Sequence, residues 1–285
     1  MEIFINDGPA DITLDTEKTL GEVISGIEQW IYPSGSRMQK INVDGKLIPV
    51  DGLKEAFQVN IADIGKLDIS ICPWRELAAE ALGDLSETCS LYANAAFDER
   101  RQISAAWGKS HAAHFLISDI PDIYKLTLLT LSGEGLSPSE LNLLVEERLN
   151  EITDPQREID NSGDKVKITA ERMEELPLDM QMGKDKRAAE TIQLFSQIGE
   201  KLFRIFFIHK SEGLLPQTLE IDERPAKTFV EEFNSALKEL SAAYENKDTV
   251  LAGDIAEYEL APRLLKFYAA LKTITKLPSN LRSEP

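Results

Sequence analysis

The opening stretch MEIFINDGPADITLDTEKTLGEVISGIEQW, residues 1–30, decides how the rest of the chain is read. Met1, Ile3 and Ile5 alternate with polar or outward positions, Ile12 and Leu14 do the same in DITLD, and NDGPA between them supplies turn residues. Alternation at period two puts apolar side chains on one face of a strand, so the pattern predicts a hairpin. Thr19 and Glu22 then stand at capping-box spacing, where the threonine oxygen accepts from the third helical amide and the glutamate reaches back. Leu20, Val23, Ile24, Ile27, Trp30 and Ile31 follow at threes and fours, predicting a helix with one apolar face that Pro33-Ser34-Gly35 ends.

Working outward, Met38–Val43 is expected as a third strand, Asp44-Gly45 as a tight turn, Lys46–Ile48 as a short fourth strand and Lys66–Ile71 as the last. The order is β-β-α-β-β-β. MEIFIN, TEKTLGEVISGIEQ, KINVDGKLI and KLDISI together resemble a ubiquitin-like β-grasp domain, over residues 1–72. The resemblance implies a small sheet wrapped on one helix and a role in docking. Two departures shape what it implies here. The last strand runs through Cys72-Pro73-Trp74 into a helix instead of ending in a free diglycine tail, so covalent conjugation through the C-terminus is not expected. The positions that form the family's apolar recognition patch fall on Gly8, Asn42 and Ser70, so a polar face with different readers is expected. Phe4 points opposite to Ile3 and Ile5, away from the helix; it either meets the chain's own helices, the preferred reading, or is offered to a partner.

Beyond Trp74 the pattern is helical: 74–97, 98–120, 121–131, then a Ser132–Gly135 break. Ser137-Pro138-Ser139-Glu140 starts a helix with a cap, a first-turn proline and a glutamate, and Leu141, Leu144, Val145, Leu149 and Ile152 form its stripe. Between 154 and 186 apolar residues thin out and Pro, Gly, Asp and Lys rise, which predicts a mobile excursion. LFRIFFI, 202–208, is apolar on nearly every side and marks a central helix ending near Gly213. Phe229, Phe233, Leu237, Leu240 and Tyr244 give an amphipathic helix, and Pro262 should kink or divide the last one, 249–274. The expected fold class is α+β: a β-grasp domain, 1–72, followed by a larger all-α helical-bundle domain, 73–275, and a frayed tail, 276–285.

The chain has 285 residues with 49 acidic against 31 basic side chains, a net charge of −18. Such a charge repels phosphate backbones and anionic leaflets, so nucleic acid and membrane are not expected as partners, while a basic protein partner is. No apolar run approaches the ~20 residues of a membrane span, and MEIFIND lacks the features of a secretory signal, so an intracellular, cytoplasmic protein is expected. Cys72 and Cys89 are read as reduced packing thiols.

Chemistry is sparse. His111 and His114 lie three apart on a helix and, with Asp119, could hold a metal, but neither HExxH nor an ExxH pair accompanies them. His209 sits near a helix C-terminus, where the dipole favours a cation. Gly183-Lys184 lacks the upstream glycine and following Ser or Thr of a phosphate loop and is read as a solvated turn; GxSxG and GxGxxG are absent. Glu231, Glu232, Asp254, Glu257 and Glu259 cluster in the last two helices as a solvated acidic face. No catalytic residue and no cofactor is expected. The leading expectation is a non-catalytic intracellular adaptor or scaffold that docks proteins through its sheet (Phe4, Asn42, Ser70) and its acidic helical surface (Glu231, Glu232, Asp254, Glu257). The alternatives are a metal-dependent enzyme with a site at His111 and His114 in the bundle, and an acidic chaperone or decoy of a basic protein.

Overall fold

The structure is a computed structural model that describes residues 1–211, 215 and 219–274. The helix end expected near Gly213 and the tail 276–285 lie outside the described residues. Strand β1 (Glu2–Ile5) turns through Asn6 and Asp7, at φ 48° and 64°, into β2 (Gly8–Pro9). Two consecutive left-handed residues make the hairpin turn whose twist matches that of the strands, and short polar side chains tolerate that conformation. The turn is therefore tighter than NDGPA suggested. It pairs Phe4 with Pro9, which carries residues 12–14 past the end of β1, so DITLD joins no ladder; Ile12 and Leu14 instead pack half-buried against the sheet's core.

Helix α1 (Leu20–Ile31) carries the expected capping box: the Glu22 amide donates to Thr19 Oγ1 at 3.4 Å, and the Thr19 amide donates to Glu22 at 3.0 Å. Its buried residues are Leu20, Val23, Ile24, Ile27 and Ile31, whereas Trp30 is 67% exposed, one position off the buried arc. After a 3-10 turn at Tyr32–Ser34 come β3 (Ser36–Val43), a left-handed Asp44-Gly45 turn and β4 (Lys46–Leu47). A connection holding the one-turn helix α2 (Leu53–Ala56) leads to β5 (Lys66–Pro73). The mixed sheet of five strands has the order β2-β1-β5-β3-β4, with β1 and β5 parallel at its centre and the other neighbours antiparallel. Ile3, Ile41, Leu67 and Ile69 meet the apolar face of α1. Each such burial removes enough surface from water to contribute about 1.5–3 kcal/mol.

Strand β5 passes without a linker into α3 (Trp74–Asn94), followed by α4 (Phe97–Trp107), α5 (His111–Asp119), α6 (Pro121–Ser132) and α7 (Pro138–Thr153). Gly133, at φ 81°, caps α6, and Ser137 with Glu140 closes a second capping box at the start of α7. Helix α3 packs along α7 and α5. The sheet and these helices form one compact unit, Met1–Thr153, and a second unit begins at Asp154. The layout is α+β, with the sheet preceding a mostly helical remainder.

The second unit, Asp154–Pro285, begins with α8 (Pro155–Asn161), α9 (Gly163–Glu174) and α10 (Leu176–Gln181). The excursion expected near 154–186 is therefore helical and part of a core. Asp154 caps α8 through the Arg157 amide, and Ile159, Val166, Ala170, Met173 and Leu176 are buried. Short helices need only a narrow apolar stripe, which polar density concealed. Lys184 follows Gly183, at φ 66°, and is not simply solvated: Asp179, 2% exposed, lies 3.4 Å from Lys184 and 3.0 Å from Arg187. Helix α11 (Asp185–Ser211) is central as expected, with Phe195, Leu202, Ile205 and Phe206 buried. A two-stranded hairpin, β6 (Glu220–Ile221) and β7 (Arg224–Pro225), interrupts the expected all-α region. Its turn residues Asp222 and Glu223 are also left-handed, at φ 56° and 60°. Helices α12 (Ala226–Glu245) and α13 (Thr249–Asp254), a π-helical segment (Ile255–Leu260) and α14 (Ala261–Ile274) complete the unit. The π segment answers Pro262: proline has no N–H and its ring crowds the carbonyl one turn back, and the widened turn, closed by the Ala261 amide on Ala256, relieves both. Phe195, Phe203, Phe229 and Phe267 surround Phe233 with ring centroids 5.1–6.2 Å away, the geometry of favourable aromatic contact.

Candidate functional site

The face of the sheet that does not carry α1 gathers the residues singled out on it. Phe4, Asp68 and Asn42 stand side by side across β1, β5 and β3, and Ser70 pairs with Lys40 two residues along. Phe4 is half-buried; the contact on its ring is Lys66 Nζ, 4.3 Å from the centroid, and the same ammonium lies 2.7 Å from Asp68. That cation comes from β5, the strand beside β1. The Asn6 side chain both donates to and accepts from the Ile71 backbone, at 3.0 and 2.8 Å, which fixes the hairpin turn against β5. The result is a polar face with one aromatic ring under a lysine ammonium.

A cleft of about 750 Å³ opens in the first unit, between α1 and β3 on one side and α5 on the other. Its floor is a charged clamp. Arg37 Nε donates to Asp119 Oδ1 at 3.0 Å, Trp74 Nε1 donates to the same oxygen at 3.0 Å, and the guanidinium lies 4.0 Å from the Tyr32 ring centroid. Strand β3, the start of α3 and the end of α5 thus meet at one carboxylate. Glu28 lines the wall, and partial burial pushes its carboxyl above the ordinary range, with Arg37 pulling it down and Asp119 pushing it up. His111 and His114 are exposed on the lining, and His114 Nδ1 lies 3.0 Å from the Ser110 carbonyl. Asp119, which the metal reading needs as a third ligand, is already committed to Arg37 and Trp74. Among the described residues no group of three or more His, Cys, Asp or Glu side chains is placed to hold a metal ion. Arg37 and Asp119 are 82 positions apart, so no spacing in the sequence joins them.

The remaining expected residues separate. Glu232 pairs with Arg224 and lies 3.9 Å from Arg263, while Glu231 lies 3.9 Å from Lys227. Glu257 accepts from the Tyr258 hydroxyl, and that bond and the carboxylate's charge hold the phenol above its usual range; Asp254 adds to it. Glu231 and Glu232 thus have basic partners, whereas Glu257 and Asp254 act on a phenol. The acidic excess lies elsewhere: residues 1–153 hold 25 acidic and 12 basic side chains, net −13, and residues 154–285 hold 24 and 19, net −5. Cys72 and Cys89 are both free thiols. Burial pushes Cys89 up to about 11, and burial with Glu76 and Glu80 raises Cys72, so neither is an activated nucleophile. His209 is buried, its Nδ1 2.9 Å from the Ile205 carbonyl one turn back.

Two family models match parts of the chain. One, described as the TP0873 N-terminal domain, matches residues 1–73, the span that ends with β5. The other, described as a domain of unknown function (DUF8042), matches residues 159–270, within the second unit. No curated protein and no solved structure matches the chain. Among the described residues no helix is long and apolar enough to cross a membrane.

Proposed function

We propose that this chain is a non-catalytic adaptor whose N-terminal segment is a ubiquitin-like β-grasp module, docking a protein partner through the sheet face opposite α1. The observation that carries the reading is the Phe4–Asp68–Asn42 row, an aromatic ring set among polar groups on three adjacent strands, on the face opposite α1. The central parallel pair β1–β5 and the order β2-β1-β5-β3-β4 support the β-grasp assignment. Two further features favour docking over chemistry: the cleft's carboxylate is bound within a clamp, and both thiols are held protonated. The direct passage of β5 into α3 leaves no tail there for conjugation.

The test is a photo-crosslinking residue placed at Phe4 in the full chain, expressed in its native host. One dominant protein adduct, reduced when Asp68→Lys reverses the neighbouring charge, is the expected result. Adducts spread over many proteins, or none, would contradict docking by this face.

A further inference from the structure

Outside the sheet, α3 and α4 border a second groove with a different chemistry from the cleft. Leu91 on α3 is 56% exposed, and with Ala95 and Ile103 it lines an apolar groove of about 550 Å³ beside α4, flanked by Glu87 and Glu99. Leu91 also ends a row. Glu76, Glu80, Asp84, Glu87 and Leu91 follow one another at spacings of four, four, three and four, so they share the face of α3 opposite its buried residues Ala78, Leu82, Leu85 and Cys89. The four carboxylates span about 16 Å at 1.5 Å per residue. All four are exposed, and none has a basic partner among the described residues. Like charges at this spacing oppose helix formation, so the row has a standing cost that a cation would relieve. Asp84 registers it, its carboxyl raised first by burial and then by Glu80 and Glu87. The arginines of α3 and α4 are engaged elsewhere: Arg75 donates to the Thr153 carbonyl, Arg100 to the carbonyls of Ala93 and Ala95, and Arg101 stands over the Phe97 ring.

We propose that the α3–α4 groove and the carboxylate row leading to it dock a basic amphipathic helix of a protein partner, with Leu91 meeting the helix's apolar stripe and Glu76–Glu87 pairing with its Lys and Arg side chains. An unpaired acidic lane joined to an exposed leucine is the electrostatic and steric complement of that one occupant. The proposal deepens the adaptor reading by giving it a second surface and a partner chemistry.

The test uses the full chain and a fluorescein-labelled Lys/Leu peptide of about 18 residues, five helical turns, with its leucines on one face. A permuted peptide of the same composition, whose leucines are dispersed, is the control. Anisotropy titrations should show the amphipathic peptide binding at least ~10-fold tighter than the permuted one. Leu91→Asp should remove that preference, and the triple variant Glu80→Gln, Asp84→Asn, Glu87→Gln should weaken binding and flatten its salt dependence. Amide NMR shifts on adding the peptide should centre on residues 80–103. Equal binding of the two peptides, or unchanged affinity in Leu91→Asp with a wild-type melting curve, would overturn the proposal. Phe4→Asp separates the two readings: it should leave peptide binding unchanged while abolishing the sheet-face partner.

Discussion

Thr19 and Glu140 act at opposite ends of the first unit through the same physics, each satisfying helix amides that have no partner inside the helix. Replacing Thr19 with Ala should cost about 1 kcal/mol of stability, read by chemical denaturation. The cap glutamates add a pH dependence whose sign is fixed. Hydrogen bonds from the Lys18 and Thr19 amides lower the carboxyl of Glu22, and bonds from Ser137 lower that of Glu140. Their contribution is complete above the ordinary value of 4.5 and fades as pH falls through it toward the lower folded-state value. Glu22→Gln and Glu140→Gln should therefore lower the melting temperature at neutral pH and matter less in acid. Asp84 behaves in the opposite sense. Its folded-state carboxyl is raised above 3.8, so ionisation opposes folding as pH rises. Asp84→Asn should raise the melting temperature at neutral pH, and the gain should vanish below that value; a loss at neutral pH would mean that Asp84 has a stabilising partner.

Two glycines show how element packing decides the sign of one substitution. A Cβ at Gly253 on α13 would meet Pro177 of α10 at 2.9 Å from its Cβ and 3.1 Å from its Cα, so Gly253→Ala should destabilise by about 1–3 kcal/mol. A Cβ at Gly199, inside α11, meets nothing within 4 Å. Gly199→Ala should stabilise by about 0.5–1 kcal/mol through helix propensity alone. Thermal melts of the two variants should move in opposite directions. What the sequence made legible follows the range of the interaction. Caps at Thr19 and Ser137, the stripe of α1 apart from Trp30, and the irregularity before Pro262 are written within a few residues and stand at the expected positions. The strand at DITLD was misread because a two-residue turn at Asn6-Asp7, not the whole of NDGPA, sets the register. The helices between 154 and 186 were hidden because their buried stripe is narrow and their surfaces are polar. The Arg37–Asp119–Trp74 clamp had no local signature at all: Trp74 and Asp119 are 45 positions apart, and only the packed helices bring them together.

At the scale of the whole molecule, charge and apolar surface are divided unevenly. The first unit carries most of the net negative charge, the open sheet face and the α3–α4 groove; the second contains the phenylalanine cluster and the Arg224–Glu232–Arg263 ion pairs. Phe233→Ala, at the centre of that cluster, should cost about 3–5 kcal/mol, whereas Phe4→Asp, on a half-exposed face, should leave the fold intact. That contrast makes the central claim of docking by the sheet measurable. The protein captured through position 4 should be purified and mixed with wild-type chain and with Phe4→Asp, and the mixtures compared by sedimentation velocity. A stoichiometric complex with wild type, and none with a variant that melts at the wild-type temperature, is the predicted outcome; equal complex formation by both chains would contradict it.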